Sequence, residues 1–333
     1  MVNIVLIGAT GVIAKRRHIA GILQSKDANL YGVYARTADQ VTELAETYQT
    51  KAFYSLEAIW EDEAVDAVLV CTPTPSHCEI TIAALNAGKN VLCEKAMATN
   101  TQEARLMAEA ARKSGKKLML LHVQRRYAPH MEAKHLIQNG EIGKLLSYRT
   151  SLGVGGVPGN AGKPIPAWKN TVAELGSHRI DLMRYFTDSE AKRVLAHITC
   201  LNPDSGAQED NAVAIVEHEN GIMGIMCFSR TSFNGNDRST MLFGTEGVIT
   251  IFAESHELVL EKKNKTKITY TFPDQHEQNV LELTDLHQQF CECIENDTPA
   301  LIDERDGVAC MCIIDAIKES SHRGTWVDVA SVD

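Results

Sequence analysis

A short turn near the N-terminus has the residue types that hold a phosphate group. The turn follows the apolar run Val2–Ile7 and reads Gly8, Ala9, Thr10, Gly11, Val12, Ile13 and Ala14. Backbone N–H groups at the start of the helix that follows, aided by the helix dipole, attract a pyrophosphate. We therefore expect residues 8–13 to bind the phosphates of a dinucleotide, with a plain tight turn as the alternative.

The spacing of the small residues departs from the common dinucleotide fingerprint G-x-G-x-x-G/A. Gly8 and Gly11 are present, whereas Thr10 stands at the second glycine position. Ala14 supplies the small residue that lets the helix approach the strand. Because the turn lies inside a strand–helix–strand unit, the pattern still favours dinucleotide binding.

The tip of the second predicted strand carries a cation where a carboxylate is usual. In dinucleotide-binding sheets, an acidic residue about 20 positions after the turn binds the adenine ribose of NAD. Here Ala35 takes that place, followed by Arg36 and Thr37. A guanidinium matches a phosphate through two parallel hydrogen bonds, so we predict NADP in preference to NAD. The alternative is that Arg36 stacks on the adenine, which is compatible with NAD.

Alternating strand and helix patterns must position these groups. Over residues 1–123, apolar β-rich runs alternate with helical segments, which is typical of a doubly wound parallel sheet. Over residues 124–333, strand-like segments follow one another between turns from 193 to 272, which favours an antiparallel sheet. We predict an α/β protein with a dinucleotide-binding domain, 1–123, and a second α/β domain, 124–333. The closing helices can pack back on the first domain.

Composition and charge exclude several classes of protein. The formal net charge of -10 disfavours general nucleic-acid binding. No apolar run approaches the roughly 20 residues that span a bilayer, and no signal-peptide pattern opens the chain, so we expect a cytoplasmic location. The nine cysteines include pairs spaced by one residue, as at Cys291 and Cys293. That spacing does not match common zinc sites, so we expect reduced thiols and no metal.

Four further motifs resemble, in order and spacing, those of the Gfo/Idh/MocA oxidoreductases. They are Val70-Cys71-Thr72-Pro73-Thr74-Pro75-Ser76-His77, Asn90-Val91-Leu92-Cys93-Glu94-Lys95-Ala96, Gln124-Arg125-Arg126-Tyr127-Ala128-Pro129 and Glu174-Leu175-Gly176-Ser177-His178-Arg179-Ile180-Asp181. The resemblance covers nearly the whole chain. It implies a Rossmann domain followed by an α/β domain, whose open, largely antiparallel sheet binds substrate and forms a homodimer or homotetramer.

The resemblance also assigns cofactor contacts at strand ends. It places Cys71, Thr72, Pro73 and His77 beside the cofactor, at the carboxyl end of a strand where ligands bind in such sheets. For His77 the alternative is a histidine that packs locally at a helix start, and we assign it no catalytic role.

The resemblance places Lys95 at the centre of the chemistry. Its ammonium is expected to hold the substrate oxygen and to stabilise an alkoxide as the hydride leaves. Glu94 is expected to fix the lysine or the nicotinamide ribose. The family's proline is replaced by Ala96, and a cis bond before a residue other than proline costs roughly 2.5–4 kcal/mol. A surface lysine after a strand is the alternative.

His178 and Asp181 match the segment that the family uses at the substrate pocket. They lie three positions apart and so share one helical face. We expect His178 to be the general acid and base, with Asp181 as its orienter and substrate contact. Lys95 and His178 are then expected to meet over one nicotinamide ring. The alternative is that His178 caps the helix while Asp181 pairs with Arg184.

Other positions carried over by the resemblance line the same region. Gln124 and Tyr127 open the second domain near nicotinamide and substrate, and Trp168 resembles a residue that approaches the cofactor. Some members carry a histidine four residues after the aspartate, where this chain has Tyr185. The substrate pocket therefore departs from that pattern.

These observations together predict an enzyme that transfers a hydride between NADP(H) and the secondary alcohol or carbonyl of a sugar, cyclitol or related polyol. Its expected partners are a small-molecule substrate and copies of itself, without nucleic acid or membrane. One alternative is an NADP-binding regulatory or sensor protein that has lost turnover, to which Thr10 and Ala96 point. The other is a reductase of non-sugar carbonyls or diols in the same family.

Overall fold

The chain folds into two units in a computed structural model. The structure describes residues 1–155, 169–203, 207–232, 238–252, 256–273 and 275–332, with the backbone alone over 275–282. The first unit comprises Met1–Val123 and Gln275–Val308, and the second comprises Gln124–Asp274 and Ala309–Asp333.

The first unit is built on a six-stranded, wholly parallel sheet. Its strands are β1 (Val2–Ile7), β2 (Ala28–Tyr34), β3 (Lys51–Phe53), β4 (Ala67–Val70), β5 (Asn90–Cys93) and β6 (Leu118–Leu120). Their order is β3-β2-β1-β4-β5-β6. Strands β4 and β5 are buried at every position, because helices cover both faces of such a sheet. The predicted doubly wound sheet is confirmed.

Helices connect these strands. They are a π-helical stretch, Ala14–His18, continuous with α1 (Ile19–Gln24), then α2 (Ala38–Tyr48), α3 (Leu56–Trp60), α4 (His77–Asn86) and α5 (Thr101–Ser114). The later helix α8 (Gln275–Glu295) belongs to the same unit and contacts α1. The contact between α1 and α8 depends on Gly21. A Cβ added there would lie 2.8 Å from Nδ1 of His287 and 3.3 Å from Cβ of Leu283, so the bare backbone lets the two helices approach.

The second unit is built on a nine-stranded, mostly antiparallel sheet. Its strands are β7 (Leu145–Gly153), β8 (Ala191–Thr199), β9 (Asn211–His218), β10 (Met223–Ser229), β11 (Ser239–Gly244), β12 (Gly247–Phe252), β13 (Glu257–Lys262), β14 (Lys267–Thr271) and β15 (Val327–Asp328). The strand order is β14-β13-β12-β11-β7-β10-β9-β8-β15. Among the described strands of this second sheet, only β7 and β10 pair in parallel. The predicted α/β fold with an antiparallel second sheet is confirmed.

The two faces of the second sheet differ in their surroundings. Tyr148, Met226 and Phe228 are buried on one face, beside α6 (Ala128–Gln138), α7 (Ser177–Thr187) and most of α9 (Glu304–Arg323). Alternate residues point the other way, and Val213 and Met223 are each 48% exposed there. Because successive side chains of a strand point to opposite faces of the sheet, one face is packed in the core and the other is an exposed apolar face.

The division into units differs from a single cut after residue 123. The sequence predicts a second domain over residues 124–333 whose closing helices can pack back on the first domain, and the structure groups Gln275–Val308 with the first unit. An amphipathic helix reveals that one of its faces is buried but not which element buries it. In the part of the chain that the structure describes, no helix is both long and apolar enough to span a bilayer.

Candidate active site

The predicted cofactor residues of the first unit follow neighbouring strands of the parallel sheet. The glycine turn follows β1, Arg36 follows β2, Cys71 and Thr72 follow β4, and Glu94 and Lys95 follow β5. Carboxyl ends of parallel strands share one edge, and the strand order reverses between β1 and β4. Such a switch point is where ligands bind in open α/β sheets, so the fold brings these residues to one binding edge.

The glycine turn requires a residue without a side chain at its first position. Gly8 has a φ of +88°, and a Cβ there would lie 2.5 Å from the carbonyl oxygen of Cys71. The N–H groups of Gly8 and Ala9 both donate to the Tyr34 carbonyl, at 2.9 and 3.1 Å, and Gly11 N–H donates to the Gly8 carbonyl at 3.0 Å. The turn is therefore held tightly against both neighbouring strands.

The start of the following helix fits a dinucleotide. First-turn N–H groups of a helix have no intrahelical acceptor, and a helix N-terminus attracts phosphate. The side chains there, Val12 and Ile13, are 64% and 44% exposed, which is high for large apolar residues. A cradle of backbone donors beside uncovered apolar surface suits a ligand with both phosphate and ring systems.

The tip of β2 keeps the arrangement predicted from the sequence. Ala35 is buried, whereas Arg36 and Thr37 are exposed. Thr37 precedes the first residue of α2, so the N-terminal end of that helix dipole lies next to Arg36. Asp39 adds one negative charge in the first turn. No ion pair holds the Arg36 guanidinium among the described residues.

His77 joins the segments that follow β4 and β5. Its side chain is 1% exposed, and its ring nitrogens lie 2.8 Å from the Thr72 carbonyl and 2.9 Å from the Ala96 carbonyl. Burial lowers the pKa of this histidine, so the ring stays neutral and donates to one carbonyl at a time. Its place inside the unit makes His77 a residue that positions its neighbours.

Glu94 is held as an ionised carboxylate at the end of β5. Oε1 lies 2.9 Å from Nε2 of His18, and Oε2 accepts the Lys95 backbone N–H at 3.0 Å. Burial alone would raise the pKa of Glu94, but the hydrogen bond and charge of His18, with those of Lys95, lower it to about 2. The peptide bond between Lys95 and Ala96 is cis.

Two histidines behind Glu94 were missed by the sequence reasoning. His18 and His287 are both fully buried, with His18 Nδ1 3.4 Å from His287 Nε2. His18 has a local signal, since it follows the glycine turn on the buried side of the first helix. His287 lies in α8, 269 positions away, and nothing in its surrounding sequence points to the site.

In the second unit, α7 carries the predicted catalytic pair. A π-helical stretch, Val172–Gly176, leads into it. His178 is half-buried and Asp181 is 1% exposed. Arg125 holds Asp181 through two hydrogen bonds, from Nε to Oδ2 at 2.9 Å and from Nη2 to Oδ1 at 2.6 Å. The carboxylate is therefore fixed by a bidentate ion pair.

The alternative pairing of Asp181 with Arg184 does not occur. Arg184 instead donates to both carboxylate oxygens of Glu190, at 2.7 and 2.6 Å. A spacing of three residues shows only that two helical side chains can meet. The competing partner, Arg125, lies 56 residues earlier in the chain and could not be identified from the helix alone.

The start of the second unit positions Gln124 and Tyr127. Oε1 of Gln124 accepts from Nη1 of Arg179 at 3.1 Å, and its carbonyl accepts from Nδ1 of His130 at 2.7 Å. Tyr127 stacks on the His130 ring with centroids 5.6 Å apart and an interplanar angle of 6°. Trp168, predicted to approach the cofactor, lies outside the described residues.

The described residues bring no metal-ligating cluster together. Among them, His, Cys, Asp and Glu side chains form no group of three or more that could hold a metal ion.

A glycine turn at the switch point of a parallel sheet, followed in the sequence by a second sheet domain, defines the class of dinucleotide-binding α/β proteins. Residues 2–122 match the oxidoreductase family with an NAD-binding Rossmann fold, and residues 130–250 match the GFO/IDH/MocA C-terminal domain. The chain belongs to the Gfo/Idh/MocA oxidoreductase family.

Relatives within this family include dehydrogenases of cyclitols and sugars. The chain is 29% identical over 259 residues to scyllo-inositol 2-dehydrogenase (NAD(+)) of Bacillus subtilis strain 168, covering 74% of this chain and 73% of that one. It is 26% identical to myo-inositol 2-dehydrogenase of Thermotoga maritima, covering 99% of both. Levoglucosan dehydrogenase, solved with NADH and levoglucosan, has a TM-score of 0.87 at 23% identity, covering 99% of this chain and 100% of that one. The last likeness establishes the fold.

The ionised state of Glu94 predicts a pH dependence of stability. A carboxyl pKa lowered from 4.5 to about 2 contributes stability that is present above about pH 4.5 and is lost as the pH falls through about 2. Glu94→Gln should therefore cost about 3 kcal/mol at neutral pH, since one pKa unit is worth about 1.4 kcal/mol. Urea unfolding of both proteins at several pH values measures this difference, which should shrink in acid.

The exposed ion pair between Glu109 and Lys113 supplies a control. Glu109→Gln should leave the unfolding free energy close to wild type across the same pH range, because exposed pairs contribute little. A Glu94→Gln penalty that stays constant between neutral and acidic pH would contradict the assignment.

Proposed function

We propose that the protein transfers a hydride reversibly between NADP(H) and the secondary alcohol or carbonyl of a sugar, cyclitol or related polyol. The observation that carries this proposal is the shared carboxyl edge of the parallel sheet, where the glycine turn and Lys95 follow neighbouring strands. Family membership supports the reaction class. The named inositol and levoglucosan dehydrogenases among the relatives support the substrate class.

Each residue has a separate task in this reaction. A bound nicotinamide supplies or accepts the hydride. Lys95 binds the substrate oxygen and stabilises the negative charge that develops on it. His178 takes the hydroxyl proton during oxidation and returns it during reduction, because an imidazole titrates near operating pH. Asp181, fixed by Arg125, holds the helix face that carries His178, and Tyr127 contributes to the pocket wall.

The backbone around Lys95 is unusually constrained, which suits a group that must be placed accurately. The Lys95 N–H donates to Glu94, and the carbonyl of Ala96 lies 2.9 Å from Nδ1 of His77. Ala96 itself is 6% exposed. A side chain that starts from a fixed backbone loses less freedom when it binds substrate, and positioning errors of about 1 Å can cost roughly 100-fold in rate.

Turnover of a polyol panel tests the proposed reaction. Wild-type protein is mixed with NADP⁺ or NAD⁺ and polyols such as myo-inositol, and reduction is followed at the nicotinamide absorbance. Lys95→Met should lower kcat/KM about 1,000-fold, and His178→Gln should lower kcat by about 100-fold or more. The His178→Gln variant should bind NADPH as wild type does.

Lys116→Met is the matched control, because Lys116 is exposed and precedes β6 at the opposite edge of the sheet. It should keep wild-type turnover. Tight NADPH binding without turnover of any polyol or carbonyl would instead identify a sensor protein. Turnover confined to aromatic diols or simple carbonyls would replace the proposed substrate class.

NADP is the preferred cofactor in this proposal. Arg36 is exposed at the tip of β2 beside the N-terminus of α2, and Ala35 replaces the acidic residue that NAD-dependent sheets use. A guanidinium and a helix N-terminus both attract the 2′-phosphate of NADP. The negative charge of Asp39 opposes this attraction, so Asp39→Asn should strengthen NADPH binding.

Dissociation constants measured by nicotinamide fluorescence test this preference. Arg36→Ala should weaken NADPH binding by about 10- to 100-fold, as expected for a lost charge-assisted hydrogen bond. NADH binding should change by less than about twofold. Arg112→Ala, an exposed arginine on α5, serves as the control. Equal losses of affinity for NADPH and NADH in Arg36→Ala would show that Arg36 does not recognise the 2′-phosphate.

Self-association through the open face of the second sheet is also part of the proposal. Ile225 of β10 pairs with Ile215 of β9 on this face, and Cys227 pairs with Val213. Val213 and Met223 are 48% exposed. A contiguous apolar surface on a folded unit commonly marks a protein interface, and closed symmetric assemblies are the usual outcome.

The mass of the protein in solution tests this interface. Wild type should elute as a dimer or tetramer in size exclusion with light scattering, and Ile225→Glu should give a smaller species because it buries a charge. Lys113→Glu, on the exposed side of α5, should leave the mass unchanged. A monomeric wild type would contradict the assignment.

A further inference from the structure

A buried column of three titratable side chains lies in the first unit behind Lys95. Glu94 contacts Nε2 of His18 at 2.9 Å, and Nδ1 of His18 contacts Nε2 of His287 at 3.4 Å. The two imidazoles are fully buried and their ring centroids are 5.5 Å apart. The column thus links α8, the first helix and the end of β5.

The chemistry of the column fixes part of its hydrogen bonding. An ionised carboxylate only accepts hydrogen bonds, so Nε2 of His18 must carry a proton and donate to Glu94. Burial, followed by the nearby charge of His18, lowers the pKa of His287 to about 3, so His287 is neutral. A neutral His287 with its proton on Nε2 donates to Nδ1 of a neutral His18, whereas a neutral His287 with its proton on Nδ1 accepts at Nε2 from a doubly protonated His18.

The helix contact that supports the column is specific. Gly21 faces His287, and even a Cβ at that position would lie within 3.0 Å of two of the imidazole ring atoms. Burying two imidazoles without hydrogen bonds costs free energy, whereas apolar side chains would fill the same space without that cost. The hydrogen bond from His18 to Glu94 and the contact of His287 with His18 offset this cost for the two imidazoles.

We propose that His18 and His287 are positioning residues that hold the Glu94 carboxylate in one orientation and thereby set the backbone from which Lys95 projects. The link is direct, because one Glu94 carboxylate oxygen accepts a hydrogen bond from His18 and the other accepts one from the Lys95 backbone N–H. The role of Lys95 itself rests on the proposed function. Neither histidine touches substrate or cofactor in this scheme.

The first test uses the protein without cofactor. In spectra of ¹⁵N-histidine-labelled protein, Nε2 of His18 should be protonated and slow to exchange. His287→Leu should shift the Nδ1 signal of His18, because that atom loses its partner. An unprotonated Nε2, or His18 signals that are identical in both proteins, would overturn the column.

The second test separates positioning from binding. His287→Leu should lower kcat for the polyol about tenfold while KM and the NADPH dissociation constant stay within about twofold, the pattern of a misplaced group. His287→Gln keeps an N–H at the position of Nε2 and should recover most of the lost kcat. Recovery by Gln distinguishes a hydrogen-bonding role from packing.

A buried histidine of the second unit provides the control. His218 contacts the Tyr148 hydroxyl at 3.0 Å, so His218→Leu removes a comparable hydrogen-bonded core histidine and should keep wild-type kcat. Equal losses of kcat in His218→Leu and His287→Leu would assign the effect to stability and overturn the proposal. Absence of turnover in wild type would contradict the proposed function, while the spectra would still decide whether the column exists.

Discussion

The close approach of the backbone at Gly8 to the carbonyl of Cys71 is the constraint on which the binding edge depends. With 2.5 Å available to a Cβ, only glycine lets the chain leave β1, turn and enter a helix beside the end of β4. The turn then lies where the strand order reverses. Arg36 and Glu94 follow other strands of the same sheet. They can contact the same ligand only because this turn leaves room for the ligand at the carboxyl edge of the sheet.

Electrostatics in the two units follow a common pattern, in which a buried carboxylate is satisfied on both oxygens. Glu94 accepts hydrogen bonds from the His18 imidazole and from a backbone N–H, and Asp181 accepts two hydrogen bonds from the Arg125 guanidinium. Removing one partner from such an arrangement leaves a charge without compensation, which is far more costly than losing an exposed ion pair. Each carboxylate therefore fixes the local geometry of a residue assigned to the reaction, Lys95 in one unit and His178 in the other.

Much of the first unit could be predicted because strands buried on both faces appear as continuous apolar runs, and glycine turns have a recognisable spacing. The parallel pairing of β7 with β10 could not, because strand patterns show which face is buried but not which strand is the neighbour. The same limit applies to the site. Local motifs led to Lys95 and His178. In contrast, His287 contacts His18 and Arg125 contacts Asp181 across 269 and 56 positions of the sequence, and no local spacing pattern predicts such contacts.

The first unit is interrupted in sequence, since residues 124–274 separate its sheet from α8. During synthesis the N-terminal segment leaves the ribosome first and domains tend to fold as they emerge. The face of helix α1 that Gly21 presents to α8 therefore stays uncovered until residues 124–274 and α8 itself have been made. The entropic cost of closing a loop grows only slowly with its length, so the main consequence is a delay. During this delay, nascent chains of this protein expose an apolar helix surface to chaperones and to one another.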